Sequence, residues 1–167
     1  MEQRGHLEGF GPVHGKRANA LILGSYPSPK SFAQGFYYGH PQNRFWPLMA
    51  QLTEKPVPTS LNAKTTLITG SGLALWDVLK QCSITGASDS SIVKPVPNNI
   101  ASLVQTLGIQ AIFCNGAAAH RFYRQCCQNS TGLTAILLPS TSPANAAYSL
   151  ARLKECWQPL VSYLSMP

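Results

Sequence analysis

Along the chain, short apolar runs alternate with stretches whose apolar positions repeat at helical spacing. The first run, Ala20–Leu23, is stopped by Gly24 and the two prolines of GSYPSP. A run that short, ended by turn residues, predicts a buried strand entering a loop. GLALWDVL (72–79), Ile109–Cys114 and residues 134–138 of TAILLPS predict three more. Between them, Ile100, Leu103, Val104 and Leu107 stand at i, i+3, i+4 and i+7, the apolar stripe of a helix capped by Asn98 or Asn99. NRFWPLMAQL predicts a helix with Asn43 as its N-cap. Asn115-Gly116 opens another that buries Ala119, Phe122, Tyr123 and Cys126, and NAAYSLARLKECW a last with Leu150, Leu153 and Trp157 inward. Residues 53–66 are mostly polar, and 82–97 read as a long loop, a length more often functional than idle. Residues 1–18 read as a polar leader, extended or frayed, and 19–167 as a single domain.

Buried strands alternating with helices predict an α/β fold, a parallel sheet covered on both faces. Right-handed crossovers put the loops after the strands on one edge, where such proteins bind ligands. Those loops are GSYPS, the WDVL region, CNG and LPSTSPAN.

Composition narrows the chemistry. The net charge is +7, yet charged residues make up only 11% of the chain, against roughly 25% in an average protein. The excess is a scarcity of acids. Glu2, Glu8, Glu54, Asp77, Asp89 and Glu155 are the only carboxylates, and no two form a ready-made pair in sequence. Mechanisms that need paired carboxylates, or several as ligands to a hard metal, have almost nothing to draw on. The charge favours a polyanionic partner. No apolar run approaches the roughly 20 residues that span a bilayer, so no membrane partner is expected. Five cysteines without a C-x-x-C argue against disulfide, zinc and iron–sulfur frameworks and for a cytoplasmic protein. GPVHGK lacks the length and the Ser/Thr of a P-loop, and ITGSGL lacks the spacing of a nucleophile elbow.

Three stretches remain, in order: GSYPS, GFYYGHPQNRFW and LPSTSPANA. Together they resemble the uracil-DNA glycosylase superfamily, most closely its deoxyinosine (hypoxanthine)-DNA glycosylase branch. The mismatch-specific glycosylases share a similar G-F-x-[aromatic]-x-H-P-x-N-R-F-W stretch. The resemblance runs from about Leu21 to Trp157. It implies a three-layer α/β/α sandwich around a small, mostly parallel four-stranded sheet, and a base-excision repair enzyme acting on damaged DNA. Such an enzyme hydrolyses an N-glycosidic bond with neither metal nor cofactor and is expected to be a monomer. The base must first leave the stack, so the site needs an aromatic shelf and a polar pocket. Preorganised amides and backbone N–H groups can then stabilise the transition state.

Carried over residue by residue, the resemblance puts the backbone of Gly24, Ser25, Tyr26 and Pro27 along the base pocket. Uracil-removing branches carry Asp or Asn just before this proline. Tyr26 stands there instead, and Leu138 replaces their histidine, so hypoxanthine is the first choice of base. A uracil or G·T/G·U mismatch glycosylase, or a catalytically silent DNA-binding domain, is the alternative. Asn43 is expected to be the catalytic amide, although it also suits a helix cap. Tyr38 is the expected shelf, or else a half-buried aromatic, and Asn115 a pocket residue or a cap. Asp77 lies near where uracil enzymes read the base with an Asn, but the match is inexact and capping or loop bonding is favoured. His40 suits a structural hydrogen bond, and Phe45 and Trp46 suit the core. Ser140, Thr141, Ser142, Pro143 and Asn145 are expected to grip the DNA strand, Pro143 or a neighbour being the wedge. Arg121, Arg124, Arg152 and Lys154 read as solvated residues adding to the positive field. No motif places a lysine as a Schiff-base nucleophile, so no lyase activity is implied.

Overall fold

The computed structural model describes residues 7–84 and 91–165. In chain order the elements are β1 (Ala20–Gly24), α1 (Pro29–Gln34), α2 (Phe45–Thr53), α3 (Leu61–Gly70), β2 (Leu73–Asp77), β3 (Leu79–Ser83) and β4 (Val93–Pro97). Then follow α4 (Ile100–Leu107), β5 (Ala111–Asn115), α5 (Ala117–Cys126), α6 (Gln128–Thr131), β6 (Ala135–Leu138), α7 (Leu150–Cys156) and a 3-10 helix, Gln158–Tyr163.

The four predicted strands form one parallel sheet in the order β2-β1-β5-β6. Successive side chains of a strand point to opposite faces, and β1 is buried on both. Leu21 and Leu23 join the core beneath α4 and α5, with Leu103, Val104, Phe122 and Tyr123. Ala20 and Ile22 join the opposite core, with Phe45, Leu48, Ile68, Leu153 and Trp157. Helices therefore cover both faces, and the architecture is the expected α/β/α sandwich. In register, Gly24 stands beside Asp77, and Asn115 beside Leu138, at the strands' C-terminal ends.

Several local expectations change. The predicted strand 72–79 ends at Asp77; after Val78 the chain leaves the sheet as β3 and pairs antiparallel with β4. An unbroken apolar run hides that switch, because both strands bury the same residue types. The long loop predicted for 82–97 thus holds strand residues at both ends, and its positions 85–90 lie outside the described residues. Helix α3 was not legible, since it buries only Leu67 and Ile68. Arg44, not Asn43, is the N-cap of α2, Asn99 caps α4, and Ser149 caps α7. At the end of α5, Cys127 is buried rather than Cys126.

Within the leader, the described residues from Leu7 to Val13 are fastened to the rest of the chain. Val13 exchanges backbone hydrogen bonds with Leu75, and Gly9 N–H donates to Lys80 O. Tyr26 Oη donates to Leu7 O at 2.6 Å, Tyr37 Oη to Gly11 O at 2.8 Å, and Trp76 Nε1 to Phe10 O at 3.0 Å. Residues 7–13 thus cross the C-terminal end of the sheet as a strap. Among the described residues, no helix is long and apolar enough to cross a membrane.

Candidate active site

A cleft opens where β1, β2 and β5 end. Gly24, Asp77 and Asn115 arrive there from the sheet, Tyr38 and Asn43 from the segment before α2, and Ser140–Ser142 from the loop after β6. All the loops expected on this edge contribute.

Its polar centre is a directed chain of hydrogen bonds. Thr141 N–H donates to Asn115 Oδ1 at 3.0 Å, which fixes the orientation of that amide. Asn115 Nδ2 donates to Thr141 Oγ1 at 3.0 Å. The threonine hydroxyl then donates to Asn43 Oδ1 at 2.8 Å, and the same oxygen accepts from Phe45 N–H at 2.9 Å. Asn43 therefore serves the first turn of α2 from the position before the cap, while its side chain lines the cleft.

Arg44 bolts these parts together. Its N–H donates to Thr141 O at 3.1 Å, and its guanidinium donates to the carbonyls of Ser142 at 2.8 Å, Asn145 at 3.0 Å, and Tyr148. A planar, permanently charged fork suits three carbonyls converging from one loop. Asn145 Nδ2 returns to Ser140 O, and Trp157 Nε1 to Pro139 O, both at 3.0 Å, so the loop is braced from within and below.

Aromatic and acidic groups complete the lining. Tyr38 lies against Phe45, ring centroids 4.1 Å apart and 22° from parallel. Its φ of 54° is a left-handed conformation that only firm packing sustains in a bulky residue. Burial, and then the Asp77 carboxylate, push the Tyr38 phenol well above its ordinary range, only partly offset by the nearby Asn115 amide. The same two causes raise Tyr37. Asp77 is buried and, among the described residues that line the cleft, is the only formally charged side chain. A β-carbon on Gly24 would fall 2.5 Å from Asp77 Oδ1 and 3.1 Å from Tyr38 Oη. Glycine is what lets both groups reach the cleft floor.

The family model for the uracil DNA glycosylase superfamily matches residues 12–161. The chain belongs to that superfamily. A protein of Methanosarcina acetivorans named hypoxanthine DNA glycosylase is 32% identical over 152 residues, covering 90% of this chain and 94% of the relative. One of the same name from Methanosarcina barkeri is 29% identical over 153 residues, with the same coverage. A solution NMR structure from Methanosarcina acetivorans, provisionally described as a uracil DNA glycosylase, superposes with a TM-score of 0.79 at 31% identity, covering 92% of this chain and 95% of that one.

In this glycosylase-family chain, Gly24, Ser25, Tyr26, Pro27, Tyr38, Asn43, Asn115, Ser140, Thr141 and Ser142 converge on the cleft, whereas Pro143 and Asn145 do not line it. Tyr26 turns its ring into the core against Phe32 and spends its hydroxyl on Leu7. Thr141, expected on the strand-gripping surface, is buried with its hydroxyl turned towards Asn43. Leu138 sits in the core. His40 Nδ1 accepts from Gln42 N–H at 3.1 Å, the structural bond expected of it, and Phe45 and Trp46 are core residues. Sequence reasoning missed Arg44, the cleft position of Asp77, and Phe10, whose ring joins the wall from the strap. Among the described residues no group of His, Cys, Asp and Glu is arranged to hold a metal ion.

Proposed function

We propose that the protein is a monofunctional DNA glycosylase that removes hypoxanthine from deoxyinosine in DNA, acting in the cytoplasm as a monomer. The observation that carries this reading is the cleft itself: a fixed amide, Asn43, and a buried carboxylate, Asp77, line one pocket together with Tyr38. Deamination of adenine turns N1 from an acceptor into an N–H donor and the 6-amino group into a carbonyl. A buried carboxylate accepts the new N–H and repels the lone pair of adenine N1, so Asp77 suits hypoxanthine. Tyr38, backed on one face by Phe45, is the surface against which the extruded base rests.

Hydrolysis breaks the C1′–N9 bond, whose electron pair leaves with the base. Water adds to C1′, and its proton ends on the departed base. Charge develops on the base and on the sugar, and donors held ready for it lower the barrier without reorganising. Ser140, Ser142, Pro143 and Asn145 lie on or beside the rim, where hydroxyls and N–H groups suit phosphate contacts that position the strand without reading its sequence. Two relatives named hypoxanthine DNA glycosylase support the choice of base.

Uracil is the second reading, because its ring N–H also suits Asp77. Against it stands Tyr26, whose hydroxyl is already committed to Leu7 and so does not replace the water-holding acid or amide of the uracil branches. Labelled duplexes containing inosine, uracil or a G·T mismatch, treated with alkali after incubation, decide between them. Strand opening at inosine is expected. Opening mainly at uracil or at the mismatch supports the second reading, and binding with no abasic product indicates a silent DNA-binding domain.

A further inference from the structure

Asn43 Oδ1 accepts two hydrogen bonds, from Phe45 N–H and from the Thr141 hydroxyl. The first of these donors does not allow the amide to be turned over. The backbone N–H of Phe45 has no lone pair to offer. The Thr141 oxygen already accepts from Asn115 Nδ2, and Asn115 is itself oriented by the backbone N–H of Thr141. Peptide N–H groups thus fix both ends of the chain, and every proton in it has one place to be. What Asn43 leaves for the cleft is its N–H₂, a pure donor.

We propose that Thr141, held by Asn115, is a positioning residue that presents the Asn43 N–H₂ to the departing base, so that Asn43 assists the leaving group and does not hold the attacking water by accepting its proton. This rests on the glycosylase reading above. A nucleophilic water needs acceptors for its hydrogens as it attacks, and an amide whose oxygen is saturated offers none. A base leaving with the glycosidic electron pair spreads negative charge over its ring nitrogens and carbonyl, and a donor strengthens its bond as that charge grows. The donor transfers no proton.

The test compares single-turnover rates on duplexes carrying hypoxanthine and 2-fluorohypoxanthine, whose fluorine is little larger than hydrogen and makes the base a better leaving anion. Asn43→Ala is expected to slow hypoxanthine release by about 10²–10³-fold, and the fluorinated base several-fold less. Thr141→Val, nearly isosteric, is expected to show a smaller deficit with the same trend and an unchanged KM, and Thr141→Ser to restore the rate. Equal deficits on both bases would put Asn43 on the water side and overturn the proposal, as would a Thr141→Val enzyme of wild-type rate. A second readout needs no activity. The Asn43 side-chain ¹⁵N–¹H pair is expected to shift in Thr141→Val and stay in Thr141→Ser, and an unmoved pair in the valine variant overturns the positioning role. Wild-type protein inert on both bases would instead count against hypoxanthine as substrate, with the NMR comparison still deciding the role of Thr141.

Discussion

The hydroxyl of Thr141 donates to Asn43 Oδ1 at 2.8 Å, joining residues 98 positions apart in the chain. That bond ties the loop after β6 to the start of α2, and Arg44 reinforces the same junction through Ser142, Asn145 and Tyr148. The loop cannot move without disturbing the amide.

Arg44→Ala is therefore expected to lower stability by about 2–3 kcal/mol, as several charge-assisted bonds to carbonyls are lost together. That corresponds to a drop in Tm of roughly 5–10 °C for a domain of this size, with excision falling at temperatures where the fold survives. Arg44→Lys is expected to recover little, because an ammonium does not reproduce the planar fork. Thermal melts of the two variants check this, and a Tm for Arg44→Ala equal to wild type would contradict the clamp.

Gly24→Ala places a methyl group 2.5 Å from Asp77 Oδ1 and 3.1 Å from Tyr38 Oη. Both side chains must shift. Displacements of about 1 Å in a site cost about 10²-fold in rate, so excision is expected to fall by that order while the fold is kept. Single-turnover kinetics beside circular dichroism measure it. A fully active Gly24→Ala enzyme would show that the floor of the cleft does not meet the substrate.

The chain displays its sheet more openly than its site. Ala20–Gly24 and Ala111–Asn115 are legible because strands buried on both faces need unbroken apolar runs, and Gly24 and Asn115 because turn residues close those runs. Asp77 is not: a lone acid ending a strand reads as a cap, and only its register beside Gly24 turns it into the cleft. Arg44 is not legible either, since nothing local shows three carbonyls from the far end of the chain. Thr141 reads as a strand-gripping hydroxyl for the same reason. Helix α3 escapes notice because two buried residues make no stripe.

Asp77→Asn keeps the volume and one acceptor but adds a donor facing the base. Hypoxanthine excision is expected to fall by about 10-fold or more, the cost of weakening one charge-assisted contact, and the preference over adenine to narrow. Rates on inosine and deoxyadenosine duplexes check this. An unchanged preference would free Asp77 from any part in reading the base.

Burial pushes the thiols of Cys114 and Cys127 from 9.0 up to about 12. A raised thiol pKa means the folded protein keeps protons that the unfolded chain releases. Stability is then unaffected below about pH 9 and falls as pH rises towards 12, by about 1.4 kcal/mol per pH unit for each retained proton. Melts between pH 7 and pH 11 are expected to show that decline, and alkylation of the native protein at pH 8 to spare both thiols. Rapid native labelling of Cys114 or Cys127 would contradict it.

Single-turnover release of hypoxanthine by the wild type and by Asn43→Asp, with melting curves of both, measures what the Asn43 N–H₂ contributes to excision. The carboxylate still accepts from Phe45 N–H and from Thr141, so the helix start is kept, but the N–H₂ is gone. The expected result is strand opening at inosine by the wild type, a loss of about 10²-fold or more in the variant, and closely similar melting temperatures. Wild-type rates in Asn43→Asp would reduce Asn43 to a residue that only accepts from the first turn of α2 and would remove its N–H₂ from the reaction.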